Sequence, residues 1–541
     1  MTACGLLRAG AMLAALCWFA PVVAQVSSSP SGYGAAPSVE VGPQGGQAAA
    51  GSRGYRAGPP VQFAVTVDET LTDNVGLDPS STRRSDLISR ISPSMRVFYG
   101  GAHSSLEGDV SIPILLYART GSENNRIVPQ VALVGHVDAL DRHVFLDADA
   151  RVSQSYLSPF APTSSAIENN PNNAYTYQTY RLTPSVAHSS GDYSYQLRDD
   201  NTWTVASNAP NIVSNAYTNE VSGFLSRIPH PMGWSLEYRR TDVEFGDQPA
   251  QLTEISRARA LWRPTSELEV FASAGYEKEQ YTFVSQQGFI YGVGGRWRPS
   301  QRTSLDASWE HRFFGSAYHV TFTSRTPLTV WSLEASRDVT TYAQSLGTLP
   351  AGDVAAELSS LFSSRIPDPA ERSSFVQQFM QARGLPPTLT DAINVYSPRA
   401  RLEERFGASA GLIGARNAIL LRVYRVRTDA LAGDDLSEII AGLPPNSTQV
   451  GGGVVWTYRI NPKLRLATSL DQRYASGEAS IASDTSAAIY SRQFSMSSAL
   501  TYSVTPATSV HGGVRYQRQR SDLGNGYDES ALFVGVTHIF R

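Results

Sequence analysis

The sequence predicts an all-β fold, a large antiparallel transmembrane β-barrel of about 22 strands, in a range of about 16 to 24. Three observations support this prediction. Side chains alternate between apolar and charged along many short segments, short turns often marked by proline separate these segments, and the apolar faces hold Ala, Gly and Thr with aromatic ends. A soluble sandwich would fill such faces with larger aliphatic side chains, whereas a lipid-facing band with aromatic edges has this composition.

The clearest strand pair surrounds the turn at Pro299. Before the turn, Val293 and Trp297 share one face and Arg296 lies on the other. Alternation of period two places one face of a sheet against an apolar environment and the other against water. Similar segments follow three further prolines: 268–276 after Pro264, 464–470 after Pro462 and 510–516 after Pro506.

From Val61 onward, short turns alternate with longer polar loops. Short turns are typical of the periplasmic side of a bacterial barrel, and long loops of its outer side. An even number of strands returns both termini to the periplasm. We therefore assign 61–541 to the barrel and expect it in the cell outer membrane. No apolar stretch of this domain reaches the ~18 residues of a membrane helix.

Residues 1–24 have the composition of a secretory signal peptide. One positive charge precedes an apolar run, and small residues precede an expected cleavage after Ala24. Both cysteines of the chain, Cys4 and Cys17, lie in this segment, so the mature chain is expected to contain no thiol. This suits export through an oxidising periplasm.

Residues 25–60 are rich in Ser, Gly, Ala and Pro and lack apolar periodicity, which predicts a disordered periplasmic tail. The tail is too short for the plug domain of an energy-coupled outer-membrane transporter. The formal net charge of the chain is -3, with 45 Lys and Arg against 48 Asp and Glu. This balance gives no basic footprint for a nucleic acid partner.

Residues 343–394 interrupt the strand pattern and are expected to form a helical loop insertion within the barrel. Apolar residues recur at helical spacing between Gly352 and Gly384, and Asp368 is the expected N-cap of a second helix. The apolar stripe of this helix supplies the candidates for a loop constriction, which are Phe375, Phe379 and Met380. Two interpretations are open: a surface loop with its own small core, or a constriction over the pore. No other loop is expected to be large and apolar enough to narrow the opening.

Charged side chains on the polar faces of the strands, of both signs, are the candidates for lining the lumen. The set comprises Asp147, Asp149, Arg151, Glu237, Arg239, Glu267, Glu269, Arg296, Arg298, Asp306, Glu310, Arg312, Lys463, Arg465, Asp471, Arg473 and Arg515. They can form a hydrated wall in which opposite charges pair across strands. The sharper interpretation is a pore lining whose charges set selectivity.

No catalytic residue, metal site or cofactor is predicted. Two His-Ser neighbours begin at His103 and His188, and both fall at predicted turns, where simple turn chemistry accounts for them. The sequence has no His-Glu-x-x-His motif and no zinc-ligand spacing. The glycines of 292–295 and 451–453 lie within predicted strands without a following helix, so they are not phosphate-binding loops.

The last strand is similar to the C-terminal signal by which barrel-assembly machinery recognises its substrates. Gly535 precedes alternating apolar residues, and Phe540 supplies the terminal aromatic. Two departures are His538, at a position that is usually aromatic, and Arg541, which follows the aromatic. The expected partners are this machinery, outer-membrane lipid and lipopolysaccharide.

Three further segments carry a family resemblance: Glu-Thr-Leu-Thr-Asp-Asn-Val at 69–75, Ile-Pro-Asp-Pro-Ala-Glu-Arg at 366–372 and Leu-Ile-Gly-Ala-Arg-Asn at 412–417. With them the chain resembles the outer-membrane barrel family associated with PEP-CTERM and exosortase systems, which accompanies exopolysaccharide gene sets. The resemblance implies a role in polysaccharide export or surface assembly, with polysaccharide export components as partners.

Three functions are therefore considered. The first is a pore or export barrel for glycans or small hydrophilic solutes. The second is a structural envelope barrel with a closed lumen and no transport. The third, an outer-membrane enzyme, is disfavoured by the absence of a catalytic set.

Overall fold

A computed structural model describes the chain from Val61 to Phe540. Within these bounds it leaves out 102, 141–142, 170, 208–214, 247–249, 282–284, 348–353, 363–365, 367–371, 373–374, 377–378, 381–382, 384, 387–388, 395–399, 432–443, 445, 481–485 and 523–525. The predictions for the signal peptide, for the tail at 25–60 and for Arg541 fall outside the described residues.

The described chain forms one closed antiparallel sheet. Its strand segments are β1 (Val61–Thr72), β2 (Asp86–Gly100), β3 (Ser104–Ser111), β4 (Ile114–Tyr117), β5 (Arg126–Ile127), β6 (Gln130–Leu140), β7 (Val144–Tyr156), β8 (Ala174–Ser190), β9 (Tyr193–Ser207), β10 (Ala216–Arg227), β11 (Met232–Phe245), β12 (Gln251–Trp262), β13 (Leu268–Gln280), β14 (Ser285–Ser300), β15 (Thr303–Arg312), β16 (Gly315–Arg325), β17 (Thr329–Thr340), β18 (Arg401–Ile413), β19 (Asn417–Ala430), β20 (Asn446–Arg459), β21 (Leu464–Ser480), β22 (Ser486–Ser503), β23 (Thr508–Ser521) and β24 (Tyr527–Phe540).

These 24 segments make 22 crossings of the barrel wall. The segments β3 and β4 both pair with β2, and they are separated at Pro113. The segments β5 and β6 form the next crossing and are separated at Pro129. Proline lacks the N–H that a ladder requires, so each crossing is interrupted there. The predicted number of about 22 strands is confirmed.

The barrel closes where β24 pairs with β1, from Phe63 opposite Phe540 to Thr72 opposite Ala531. One rim carries the short turns, including those at Pro264, Pro462 and Pro506, and both ends of the described chain lie at this rim. The other rim carries the longer loops. Connections of both kinds lie where the sequence predicted them.

The outer face of the barrel is apolar. Val293 on β14, Leu421 on β19 and Val534 on β24 are all more than 45% exposed. The residues next to them in sequence face the lumen, and all except the half-buried Phe533 are polar, glycine or buried. Exposed aromatic side chains mark the edges of the apolar belt, with Trp262, Trp297, Trp331 and Tyr502 near the short turns and Phe289, Phe406, Tyr474 and Tyr490 near the long loops. This arrangement is typical of a lipid-facing belt with two aromatic girdles.

Three helices occur among the described residues: α1 (Gly121–Asn124), α2 (Tyr342–Gly347) and α3 (Val354–Phe362). The last two belong to the predicted insertion, which lies between β17 and β18. Described positions between Arg372 and Arg383 are helical, as expected for the second helix. Its predicted N-cap, Asp368, and the flanking Gly352 and Gly384 lie outside the described residues. None of the described helices is long and apolar enough to cross a membrane.

Adjacent positions of β16 provide a test of which face meets lipid. Val320 faces outward between Ala307 and Ala335, whereas Thr321 faces the lumen between Asp306 and Glu334. The substitution Val320→Arg is expected to cost about 2–4 kcal/mol, because it places a charge in the lipid belt. The substitution Thr321→Arg places the charge in the lumen between two carboxylates and is expected to be nearly neutral.

The measurement is the free energy of unfolding in lipid vesicles, followed by the mobility shift between unheated and boiled samples. Equal effects of the two substitutions would show that the assigned face is wrong, because a shift of one residue exchanges the two faces.

Candidate functional site in the barrel lumen

Two segments from the long-loop rim fold into the lumen. The first is the lumen loop, residues 157–173 between β7 and β8. Thr163 donates from Oγ1 to Gln493 Oε1 on β22 at 2.9 Å, and Gln519 on β23 donates from Nε2 to the carbonyl of Ala161 at 2.9 Å. Both glutamines face inward, and both are far along the chain from the loop. The lumen loop therefore extends from β7 and β8 to the inner wall at β22 and β23.

Glu168 anchors the far end of the lumen loop. Its carboxylate lies 2.6 Å from Arg90 Nη1 on β2 and 3.4 Å from Arg515 Nη1 on β23. Its backbone carbonyl accepts a hydrogen bond from the Tyr117 hydroxyl at 2.7 Å. Arg515 also pairs with Glu529 of β24 at 3.0 Å. The loop is thus tied to strands on both sides of the seam where β24 meets β1.

The second segment is the insertion, residues 341–400, and its apolar stripe packs on the inner wall. Val354, Leu358, Leu361 and Phe362 of α3 form one buried cluster with the inward-facing wall residues Val330, Ile413, Ala418 and Leu420. This arrangement excludes the interpretation as a surface loop with a separate core, because the barrel wall supplies part of the cluster.

The three constriction candidates belong to this contact. Met380 is buried in the cluster, and Phe375 and Phe379 pack against it. Both aromatic rings contact Phe362, with centroids 4.9 Å and 5.2 Å away. They attach the insertion to the wall, and the body of the insertion occupies the lumen.

The insertion extends through the lumen to the short-turn rim. Arg383 donates from Nη2 to the carbonyls of Gly414 and Ala415, at 3.2 Å and 3.4 Å, in the short turn between β18 and β19. Nearer the long-loop rim, Asp391 of the insertion pairs with Arg405 of β18 at 3.0 Å. Helix α2 lies against β9 and β10, on a distant part of the wall. Described residues of the insertion therefore contact the barrel near both rims and on two separate parts of the wall.

Wall glycines make room for both segments. A Cβ at Gly453 would lie 2.8 Å from Thr390 of the insertion, and a Cβ at Gly477 would lie 3.0 Å from the ring of Phe160 in the lumen loop. Both distances are shorter than ordinary carbon contacts. These strand glycines therefore permit close approach of the lumen segments, as glycine within a strand commonly does.

The wall between β7 and β16 carries paired charges. Arg312 is 3% exposed and lies 2.7 Å from Glu277 and 3.1 Å from Glu279, both fully buried. Nearer the short turns, Glu237 lies 3.1 Å from Arg259. Arg257 pairs with both Glu237 and Glu310. Buried charges require such partners, because an unpaired ion in a poorly hydrated interior is costly.

Most of the predicted lumen residues are on the inner wall. These are Asp147, Asp149, Arg151, Glu237, Arg239, Glu269, Arg296, Asp306, Glu310, Arg312, Arg465, Asp471, Arg473 and Arg515. Glu267 and Lys463 instead lie exposed in the short turns before β13 and β21, and Arg298 is exposed at the short-turn end of β14. Proline turns begin earlier than alternation suggests, so the outermost charge of each pattern lies beyond the wall.

Several charged residues of the lumen were missed. Arg257 and Glu279 alternate with outward residues along their strands, so the same periodicity could have identified them. Glu168 lies in a loop without periodicity, and nothing local indicates that it enters the lumen. The expectation that no loop besides the insertion could narrow the opening is wrong, because the lumen loop also enters the lumen, where polar side chains and the buried Phe160 attach it to the wall.

The proposed assembly signal lies at the seam. Phe540 faces outward opposite Phe63, and His538 contacts the Phe540 ring with centroids 5.0 Å apart. Gly535 faces the lumen, where a Cβ would overlap Asp68 and lie 2.7 Å from His511 Nε2. Its missing side chain leaves space for the 2.7 Å pair between Asp68 and His511.

Neither predicted His-Ser neighbour has a catalytic arrangement. His103 lies in a short turn with its Nδ1 4.0 Å from Asp138. His188, near the end of β8, stacks on His143 with centroids 4.6 Å apart. Within the described ranges, no three His, Asp or Glu side chains are grouped closely enough to hold a metal ion.

Comparison with known proteins finds similarity in structure only. No family model matches the chain, and no curated protein matches it. The siderophore receptor PirA of Acinetobacter baumannii is similar over 90% of this chain and 81% of that chain, with 10% identity and a TM-score of 0.46. OccK2 of Pseudomonas aeruginosa is similar over 89% of this chain and 98% of that chain, with 9% identity and a TM-score of 0.33. The function is therefore argued from the residues of this chain.

The contacts of Glu168 predict that one substitution releases the lumen loop. Glu168→Ala removes the carboxylate between Arg90 and Arg515, and opening of the loop should become easier by about 1–3 kcal/mol. The measurement is backbone hydrogen exchange across 157–173 in the folded barrel. A matched control is Glu123→Ala, which removes an exposed ion pair with Arg84 and should change nothing measurable. Unchanged exchange in Glu168→Ala would show that the loop is held by its other contacts.

Proposed function

We propose that this chain is an outer-membrane channel for hydrophilic solutes whose lumen is narrowed by its own lumen loop and insertion. The main support for this proposal is that the insertion enters at the long-loop rim and is hydrogen-bonded through Arg383 to the short turn between β18 and β19. A barrel of this size leaves a wide interior, which natural barrels usually obstruct. Here the obstruction comes from within the barrel sequence.

The sector of wall from β7 to β16 is the proposed solute path. Some of its charged side chains keep contact with water, with Asp147 41% exposed and Asp306 35% exposed although both are paired. Others, such as Arg312 and Glu277 near the long-loop rim, are buried. Carboxylates and guanidiniums occur together along this sector, which favours polar solutes over apolar ones. The lumen loop and the insertion contact mainly the other part of the wall, from β17 through β24 to β2, and α2 of the insertion also contacts β9 and β10.

The proposed orientation places the long loops outside the cell and the short turns in the periplasm. The placement of both chain ends beside the short turns supports it, because bacterial single-chain barrels have this arrangement. Cleavage of residues 1–24 and recognition of the last strand by barrel-assembly machinery belong to the same proposal.

A narrower role in exopolysaccharide export follows from the family resemblance. Two of the three segments that carry it contact lumen segments through their described residues, and the third lies within the insertion. Arg372 donates to the carbonyl of Ile366 at 2.9 Å within the insertion. The turn at 412–417 accepts Arg383, and Asn74 accepts a hydrogen bond from Asn169 of the lumen loop at 3.3 Å. Deletion of the gene should then lower secreted polysaccharide. Unchanged secretion with conductance intact would remove this narrower role and leave the channel.

Conductance in planar bilayers tests the channel itself. Arg383 binds the wall near the short-turn rim, and Asp391 binds it nearer the long-loop rim. The double substitution Arg383→Gln and Asp391→Asn removes both polar contacts and should raise conductance or make it fluctuate. The matched control is Arg427→Gln with Asp429→Asn, an exposed pair of 2.9 Å on the outer face of β19, which should leave conductance unchanged.

A folded wild-type barrel that carries no current, together with a folded variant in which 343–394 is replaced by a short Gly-Ser linker and which conducts, would favour the closed structural barrel. Absence of current in both would contradict the channel.

A further inference from the structure

The outer surface carries an apolar groove that the channel does not use. It has a volume of about 560 Å³ and lies over β22, β23, β24 and β1. Its floor is formed by outward-facing side chains that are largely exposed, among them Leu71, Met496, Val514 and Leu532. Leu71, Leu532 and Val514 are register partners across β1, β24 and β23, and Met496 on β22 lies opposite Tyr516, which also lines the groove.

Three arginines border this groove on its long-loop side. Arg518 and Arg520 follow Val514 along β23, and Arg492 precedes Met496 on β22. All three are exposed on the outer face. Arg492 and Arg520 are direct partners in the ladder between the two strands. Like charges placed directly opposite each other destabilise a sheet unless an anion lies between or beside them.

The carboxylates nearby do not balance these arginines. Asp528 is shared between Arg520 at 2.8 Å and Arg518 at 3.4 Å. Asp522 accepts a hydrogen bond from the backbone of Tyr490, and Asp73, at the edge of the groove, pairs with Arg83 at 3.5 Å. Among the described residues, Arg492 has no ion-pair partner. Arg520 also donates from Nη1 to the carbonyls of Gln519 and Tyr527, at 3.0 Å and 3.1 Å. The free capacity of the arginine cluster for an anionic ligand therefore lies mainly in Arg492.

We propose that the groove and the three arginines form a binding site for a phosphorylated lipid of the outer leaflet. The guanidiniums of Arg492, Arg518 and Arg520 would bind the phosphate, since guanidinium matches phosphate oxygens in pairs of hydrogen bonds. An acyl chain would lie in the groove below them. The chemistry matches a phosphorylated glycolipid such as the lipid A part of lipopolysaccharide. This inference rests on the proposed orientation, with long loops outside, and not on channel activity.

The position of the site favours a lipid over a protein partner. The groove continues directly into the apolar belt, so an acyl chain can enter it from the bilayer without leaving an apolar environment. On the other side of the barrel, at the same rim, Arg240 is paired with Asp242 at 2.8 Å and is accompanied by Glu254 and Lys278. That surface has no surplus of positive charge, and it serves as the control.

The test is titration of the purified barrel in detergent with lipid A that carries both phosphates, followed by native mass spectrometry. Wild type is expected to retain the lipid, and Arg492→Gln with Arg520→Gln should weaken binding about tenfold or more. The control double substitution, Arg240→Gln with Lys278→Gln, should leave binding unchanged. If the first double variant does not show the mobility shift of a folded barrel, Arg492→Gln alone provides the comparison.

Two further arms identify what the site recognises. Val514→Trp fills the groove and should weaken binding of the lipid, while dephosphorylated lipid A should bind wild type no better than it binds the double variant. Inorganic phosphate should displace the lipid only at much higher concentration. Equal retention by wild type and the arginine variants, displacement by phosphate at comparable concentration, or a dimer that covers the groove without lipid would each overturn the proposal. None of these binding measurements depends on conductance, so failure of the lipid-site proposal can be distinguished from failure of the channel proposal.

Discussion

Backbone hydrogen bonding is the constraint on which the rest of this structure depends. In lipid no water is present to satisfy an exposed N–H or C=O, so each strand must be paired along both edges. The pairing of β24 with β1 meets this requirement and removes the last free edge. Once the sheet is closed with 22 crossings, the interior is too wide to be filled by wall side chains alone.

The polar interior of the barrel explains how that space is occupied. Alternation places charged and amide side chains on the inner wall, and these can bind a segment that has few apolar residues of its own. The lumen loop uses this route through Gln493, Gln519 and the two arginines that hold Glu168. The insertion combines it with an apolar contact, because Val330, Ile413 and Leu420 form an apolar patch on the inner wall.

The positions of the lumen segments on the inner wall also bear on where a solute can pass in the proposed channel. Where lumen segments contact the wall, the wall side chains are buried and form hydrogen bonds or ion pairs with those segments. Between β7 and β16 the charges pair mainly with one another, as Arg296 does with Asp306 at 2.6 Å, and several remain in contact with water. In the proposed channel, the charges that remain in contact with water border a restricted path, and the mixture of signs along it favours polar solutes.

The sequence by itself determined the class of fold, the number and order of the strands, the position of every turn and loop discussed above, and the face on which most charges lie. These follow from local rules: side chains alternate along a strand, and proline and short polar residues end it. The helical character of 354–362 and the apolar stripe with Phe375 and Phe379 were readable in the same way.

Only the tertiary structure decided what enters the lumen. Glu168 contacts Arg515, which lies 347 positions away in the chain. Gly535 of the predicted assembly signal leaves space for the pair formed by Asp68 and His511 from two other strands. The groove beside Arg492 and Arg520 also exists only because the closed sheet brings β22 to β24 beside β1. A local pattern specifies which way a side chain points, whereas the partner it meets is set by barrel closure and by the path of loops that carry no periodic signal.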